Sequence, residues 1–169
     1  MDVFSAIHGR RSIRKYTEAP VAASDVRDIL AAAMAAPSAG NAQPWRFVVV
    51  DDRALLEAIP AFSLYAAMAA KAPLGILVCV DLTAEKYPGL WPQDCSAAMQ
   101  NLLLAVHAKG LGAVWTAVQP MQDRADGFSK LLSLPENIVP FGFAVIGHPA
   151  QELAPQDRYD EGKVHWNGW

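Results

Sequence analysis

The stretch DCSAAMQNLLLAVHAKG, residues 94–110, constrains this chain more than any other. Asp94 is placed to cap a helix and to put negative charge at its start, and Gly110 to stop it. Between them Ala97, Ala98, Met99, Leu102, Leu103, Leu104, Ala105 and Val106 leave little polar face. A helix that is apolar nearly all round is buried all round. The chain has 169 residues, enough for one domain with a full core. In a domain of that size, the second side of such a helix calls for another subunit. The composition agrees: 53% of residues are hydrophobic and 18% charged, more apolar surface than one core uses.

Around this helix the pattern alternates helices with buried strands. Asp2 can cap a short helix with Val3, Phe4, Ala6 and Ile7 on its apolar face, ended by Gly9. Ser24 is the expected N-cap of a second helix, whose stripe is Val26, Ile29, Leu30, Ala33 and Met34, closed by Pro37. WRFVVVDD and LGILVCVD read as strands, with short helices over residues 54–59 and 62–70 between them. GAVWTAV and FGFAVIG read as two more strands, with a helix near residues 124–132 between them. This order gives helices layered around one sheet in a single domain, residues 1–169. From Ala150 the chain turns polar and irregular, yet it carries Trp166 and Trp169. Free tails seldom hold two indoles, so this one is expected to dock.

Several function classes drop out. The formal net charge is −3, which argues against a general nucleic-acid binder. No apolar run reaches membrane-spanning length, and MDVFSAIHGRR has no signal-peptide apolar region, so a cytoplasmic protein is expected. Cys79 and Cys95 make no C-x-x-C pair, and His8, His107, His148 and His165 make no metal-ligand spacing, so no metal site is expected. No nucleophile elbow, P-loop or obvious pair of catalytic acids occurs. Catalysis, if present, would fall to a bound cofactor, and no catalytic side chain is singled out.

Three stretches can bind such a group. GRRSIRKY places Arg10, Arg11, Arg14 and Lys15 within six positions, with Ser12 among them. Guanidinium forks bind phosphate oxygens in pairs and a serine hydroxyl adds a donor, although a basic turn is also an ordinary surface feature. APSAGNAQPW offers Ser38, Asn41 and Gln43 beside Ala39 and Gly40, which let a flat ligand approach the backbone. It also fits an ordinary loop between helix and strand. GLGAVWTAV lacks a third glycine and precedes a strand, so it is no dinucleotide loop. Trp115 there can fill core or stand beside a ligand ring.

In combination these stretches resemble the FMN-dependent nitroreductase family, with LPENIVPFGFAVIGHPAQ and DRYDEGKVHWNGW completing the likeness in the family's order. The resemblance implies an α+β fold of three layers, a central mixed β-sheet flanked by helices, in an intertwined homodimer. It implies an FMN-dependent oxidoreductase that takes electrons from NADH or NADPH and passes them to a nitroaromatic, quinone or other small conjugated acceptor. Arg10, Arg11, Ser12 and Arg14 would hold the FMN phosphate and ribityl chain, joined by Arg158. Pro37, Ser38, Ala39, Asn41 and Gln43 of the other subunit would cover the flavin edge. Trp115, Thr116 and Ala117 would pass the ring, and residues 150–169 would reach over the partner.

Some positions depart from the family. Gln156 stands where relatives often have a basic residue, and His148 where many have tyrosine. The segment LTAEKYPGLWPQ is short, which suggests a small or open lid, with Trp91 as either a pocket wall for the acceptor or a surface anchor for the long helix. Other flavin chemistry on the same fold, such as dehalogenation or flavin breakdown, would keep the FMN residues and change the lid. A non-enzymatic flavin or nucleotide-binding module would keep the arginines without turnover.

Overall fold

The computed structural model describes residues 1–169. Five α-helices and four strands alternate as α1 (Val3–Gly9), α2 (Ala23–Met34), β1 (Trp45–Val50), α3 (Arg53–Ala58), β2 (Leu74–Asp81), α4 (Trp91–Ala108), β3 (Gly112–Ala117), α5 (Gln122–Leu131) and β4 (Ile138–Gly147). The strands form one sheet in the order β1-β2-β4-β3. Every ladder is antiparallel, where a mixed sheet was expected; the only parallel pairing is an isolated bridge from Ser12 to Ala113 on the β3 edge. Within the chain no βαβ crossover joins neighbouring strands, so nothing imposes a parallel pair.

Two hydrophobic cores lie on opposite faces of this sheet, which makes the three layers. On β2, Ile76, Val78 and Val80 face α2 and α4, packing with Ile29, Ala33, Met99, Leu102 and Val106. Leu77 and Cys79 face the other way, toward Leu56, Ile59 and Phe128. The period of two along a strand buried on both faces accounts for the unbroken apolar run of LGILVCVD. Between Val78 and Cys79 the β2–β4 register slips by one residue, passing from Val78↔Gly142 to Cys79↔Pro140. The extra residue is Phe141, a β-bulge that turns its ring onto the α4 face although Phe143, two residues on, packs in the opposite core.

Two caps differ from expectation. Helix α2 begins at Ala23 with Ala22 as its cap residue, so Ser24 lies inside the first turn. Helix α4 begins three residues before Asp94, with Pro92 in its first turn, and Asp94 makes no cap. Asp2 caps α1 as expected, accepting from Ser5 N at 3.1 Å. Within the chain α4 is core on one side only: Cys95, Ala98, Met99, Leu102 and Val106 are buried, while Ala97, Asn101, Leu104 and Ala105 are half-covered. Beside them Val3, Phe4 and Ile7 of α1 stand exposed. No helix is long and apolar enough to cross a membrane.

Candidate functional site

The turn after α1 is pinned to the sheet edge from two sides. Ile13 N donates to Ala113 O at 2.9 Å, and Thr17 N and Ala150 N close onto His148 O and Lys15 O, each at 2.9 Å. The Tyr16 hydroxyl sits 2.5 Å from Ile13 O and 2.9 Å from Val145 O, and burial pushes its pKa well above the ordinary tyrosine value. Tyr16 is therefore a neutral anchor. It fixes the backbone from which the arginines project.

Arg10 and Arg11 line a cleft of about 530 Å³ with Ile13, His107, Ala113 and the tail segment 151–155. Arg11 donates from Nε to Ala154 O at 2.9 Å and from Nη1 to Arg10 O at 2.6 Å, while its Nη2 is buried with no partner. Burial, then the charges of Arg11 and Arg158, lower the Arg10 pKa. The ion pairs of the chain join Arg46 to Asp81, Lys109 to Asp25 and Asp28, and Lys163 to Asp160. None involves Arg10, Arg11, Arg14 or Arg158. A buried donor without an acceptor beside uncompensated like charges costs stability, and a phosphate-type anion supplies both missing terms. The arginine cluster therefore fits a phosphate. Arg14 is exposed and lies outside the cleft lining, and Ser12 is half-buried. His107, which the sequence did not single out, is held below its ordinary pKa by burial and by Arg10 and Arg11, and so is neutral near pH 7.

From the cleft, β3 runs along the sheet edge to Trp115, Thr116 and Ala117. At 3.3 Å per residue, Ala113 and Ala117 are roughly 13 Å apart along the strand. Trp115 and Ala117 are exposed on this edge, whereas the Thr116 side chain points inward and donates to Phe143 O at 3.0 Å. The Trp115 indole lies over Gly142, where a Cβ would come within 2.4 Å of Nε1. Its ring is 5.5 Å from that of Phe141, which meets Trp91 edge-on at 6.0 Å. Trp91, half-buried in the first turn of α4, thus connects to Trp115 through the bulged phenylalanine.

The second binding stretch is elsewhere. Ser38, Ala39, Asn41 and Gln43 form a tight turn against the start of α4, where Asp94 Oδ1 accepts from Ala39 N at 2.9 Å. Pro37, Asn41 and Gln43 are exposed. Asp94 and His107 are thirteen residues apart on α4, so this turn and the arginine cleft lie at opposite ends of the helix, roughly 20 Å apart. One chain does not bring them together. Arg158 bonds Gln156 Oε1 at 3.3 Å and lies close enough to Arg10 to depress its pKa. Trp166 and Trp169 of the tail are 85% and 104% exposed, touching no core.

The model of the Nitroreductase family matches residues 7–79 and 62–148. A protein of Methanothermobacter thermautotrophicus, provisionally named NADH dehydrogenase/NAD(P)H nitroreductase, is 48% identical over 169 residues, covering 100% of this chain and 88% of its own length. A crystal structure from Parabacteroides distasonis with the same provisional name superposes with a TM-score of 0.94 at 40% identity, over 98% of each chain. Another, from Desulfovibrio desulfuricans, described as a provisional nitroreductase in complex with FMN, has a TM-score of 0.86 at 34% identity and covers 100% of this chain and 98% of its own.

Proposed function

Since the chain belongs to the nitroreductase family, we propose that it is an FMN-dependent oxidoreductase that takes electrons from NADH or NADPH and passes them to small conjugated acceptors such as nitroaromatics or quinones. The observation that carries this reading is the uncompensated arginine cluster, with its orphaned Arg11 nitrogen, at the start of the exposed β3 edge. Arg10, Arg11, Ser12 and Arg158 hold the phosphate, with Arg14 contributing charge from outside the cleft. Trp115, the Thr116 backbone and Ala117 line the ring further along the same edge. When bound, FMN supplies reversible two-electron redox chemistry that no side chain here offers. The protein neutralises the phosphate, places the ring and keeps its own buried thiols inert: burial raises Cys79 and Cys95 to about 12.

The separation of turn and cleft supports a homodimer in which each site takes its arginines from one subunit and Pro37, Ser38, Ala39, Asn41 and Gln43 from the other. The half-covered side of α4, the exposed face of α1 and the two tail indoles are then the surfaces that assembly buries. β1 has a free edge, bordered by Leu30, Met34 and Phe47, that suits a tail reaching over from the partner. Trp91 serves as a wall for the acceptor. A cytoplasmic location follows from the use of NAD(P)H.

The test is reconstitution of the full chain with FMN, identification of the chromophore released on denaturation, and observation of the flavin band. Bleaching by NADH or NADPH and recovery on adding an acceptor is the expected result. FAD as the released chromophore, or no retained flavin, overturns the reading.

A further inference from the structure

The turn over residues 38–43 has a costly backbone. Gly40, Asn41 and Gln43 have φ of 55°, 53° and 51°, in the left-handed region that non-glycine residues seldom enter. Such a conformation persists only where its surroundings impose it. Part of the restraint is internal: Gln43 N donates to Ser38 Oγ at 2.9 Å, and Gln43 Nε2 to Asn41 Oδ1 at 2.8 Å. The rest comes from residues 86–94, about fifty positions away. Lys86 Nζ donates to Gly40 O at 2.8 Å, and the Tyr87 ring covers Gly40 so closely that a Cβ there would lie 2.6 Å from it. Asp94, only 6% exposed, accepts from Ala39 N at 2.9 Å.

Asp94 has none of the usual employments of a buried carboxylate. It pairs with no lysine or arginine and caps no helix. The positive end of α4 favours its charge there, and its one hydrogen bond is to the turn. The short segment between β2 and α4 likewise spends Lys86 and Tyr87 on the same turn.

We propose that Asp94 is a positioning residue for the cofactor turn: its carboxylate fixes the Ala39 amide and, with Lys86 as a second tie, holds the turn in the conformation that meets the flavin of the partner's cleft. The segment 82–90 is then a brace for the cofactor turn as well as a border of the acceptor pocket. This inference rests on the reading of residues 37–43 as flavin-covering.

The turn meets the ring end of the ligand, so its loss must weaken FMN and riboflavin equally, unlike loss of a phosphate arginine. The experiment measures flavin fluorescence quenching with full-length wild type, Asp94→Ala, Asp94→Asn and Lys86→Met, titrated with FMN and with riboflavin. Asp94→Ala should weaken both about tenfold or more. Asp94→Asn, which keeps an oxygen acceptor for Ala39 N, should recover most of that loss, and Lys86→Met should weaken both by a smaller common factor. Flavin affinities unchanged in Asp94→Ala, a loss confined to FMN, or an Asn variant as impaired as Ala overturns the inference. Should Asp94→Ala not fold, an equal loss of both flavins in Lys86→Met with near-wild-type affinities in Asp94→Asn supports the inference, and unchanged affinities in Lys86→Met, or an Asn variant that binds neither flavin, overturn it. Wild type binding neither flavin overturns the functional reading itself.

Discussion

Replacing Arg10 by glutamine separates the charge of the cleft from its packing. In the ligand-free protein this guanidinium is disfavoured by burial and by Arg11 and Arg158. If the proposed phosphate site is right, bound FMN would give it a charge-assisted contact of about 1.5–3 kcal/mol. Arg10→Gln should therefore raise the FMN Kd roughly 10- to 150-fold and leave the riboflavin Kd unchanged. At an FMN concentration of about 100 times the wild-type Kd, ligand stabilisation is about 2.7 kcal/mol and should fall to about 0.3–1.4 kcal/mol in the variant. For a chain of this size the FMN-induced rise in Tm shrinks by roughly 3–10 °C. The ligand-free protein should move the other way, to a higher Tm, because a repelled and partly desolvated charge has gone. Thermal unfolding with no ligand, riboflavin and FMN reads all three effects. Equal losses for both ligands, or a lower Tm without ligand, would show that Arg10 acts through folding and refute the phosphate assignment.

Asp81 sets a pH dependence: hydrogen bonds from Thr83 and Asn137, with help from Arg46, hold its carboxyl below the ordinary 3.8. Its stabilisation is present above that value and is lost as pH falls through the lowered pKa, so Asp81→Asn should be less stable at neutral pH, with the gap closing below about pH 4; urea unfolding followed by circular dichroism across pH checks this. Ending the chain after Pro155 removes Arg158, Trp166 and Trp169 and should give aggregating protein without flavin; a soluble, dimeric, yellow product in size-exclusion chromatography would refute the docked tail. Trp91→Ala should lower Tm through lost packing on Phe141 and lower kcat/KM for nitroaromatics and quinones, while the rate of flavin reduction by NAD(P)H changes less in stopped flow. Unchanged oxidative kinetics would leave Trp91 with packing alone.

Hydrophobic period made most of the fold legible. LGILVCVD and FGFAVIG announced buried strands because a strand covered on both faces has no polar positions to interrupt it. The sheet's directions were not legible, since periodicity does not distinguish parallel from antiparallel neighbours. The α4 start was misplaced because Asp94 resembles a cap; the stronger signal was WPQD, where a proline marks the first turn and puts the aspartate one turn too late to cap. The arginine turn was legible as a local cluster. His107 was not, because it joins the cleft only when α4 is laid against α1, where a Cβ on Gly9 would lie 2.8 Å from its Nε2. The tie between Ala39 and Asp94 spans 55 positions, and no local pattern encodes it.

The bulge at Phe141 works on the sheet as a frameshift works on a message. Before it, along Ile138–Pro140, odd and even positions of β4 are assigned to the two cores in one phase; after it, along Gly142–Gly147, the assignment is inverted. The strand can thus meet the packing rules of β2 at both ends while spending two adjacent residues, a phenylalanine and a glycine, on the same side at the aromatic end of the site. Deleting Phe141 would do more than remove a ring. It would also remove the bulge, leaving Pro140 opposite Cys79 and Gly142 opposite Val78 as neighbours in a regular ladder, with Ile138 and Val139 keeping their cores. Straightening the bulge at full length is the disruptive change: with no residue set aside, Ile138 and Val139 would have to trade cores, or the far half of the strand would slide one residue along β2.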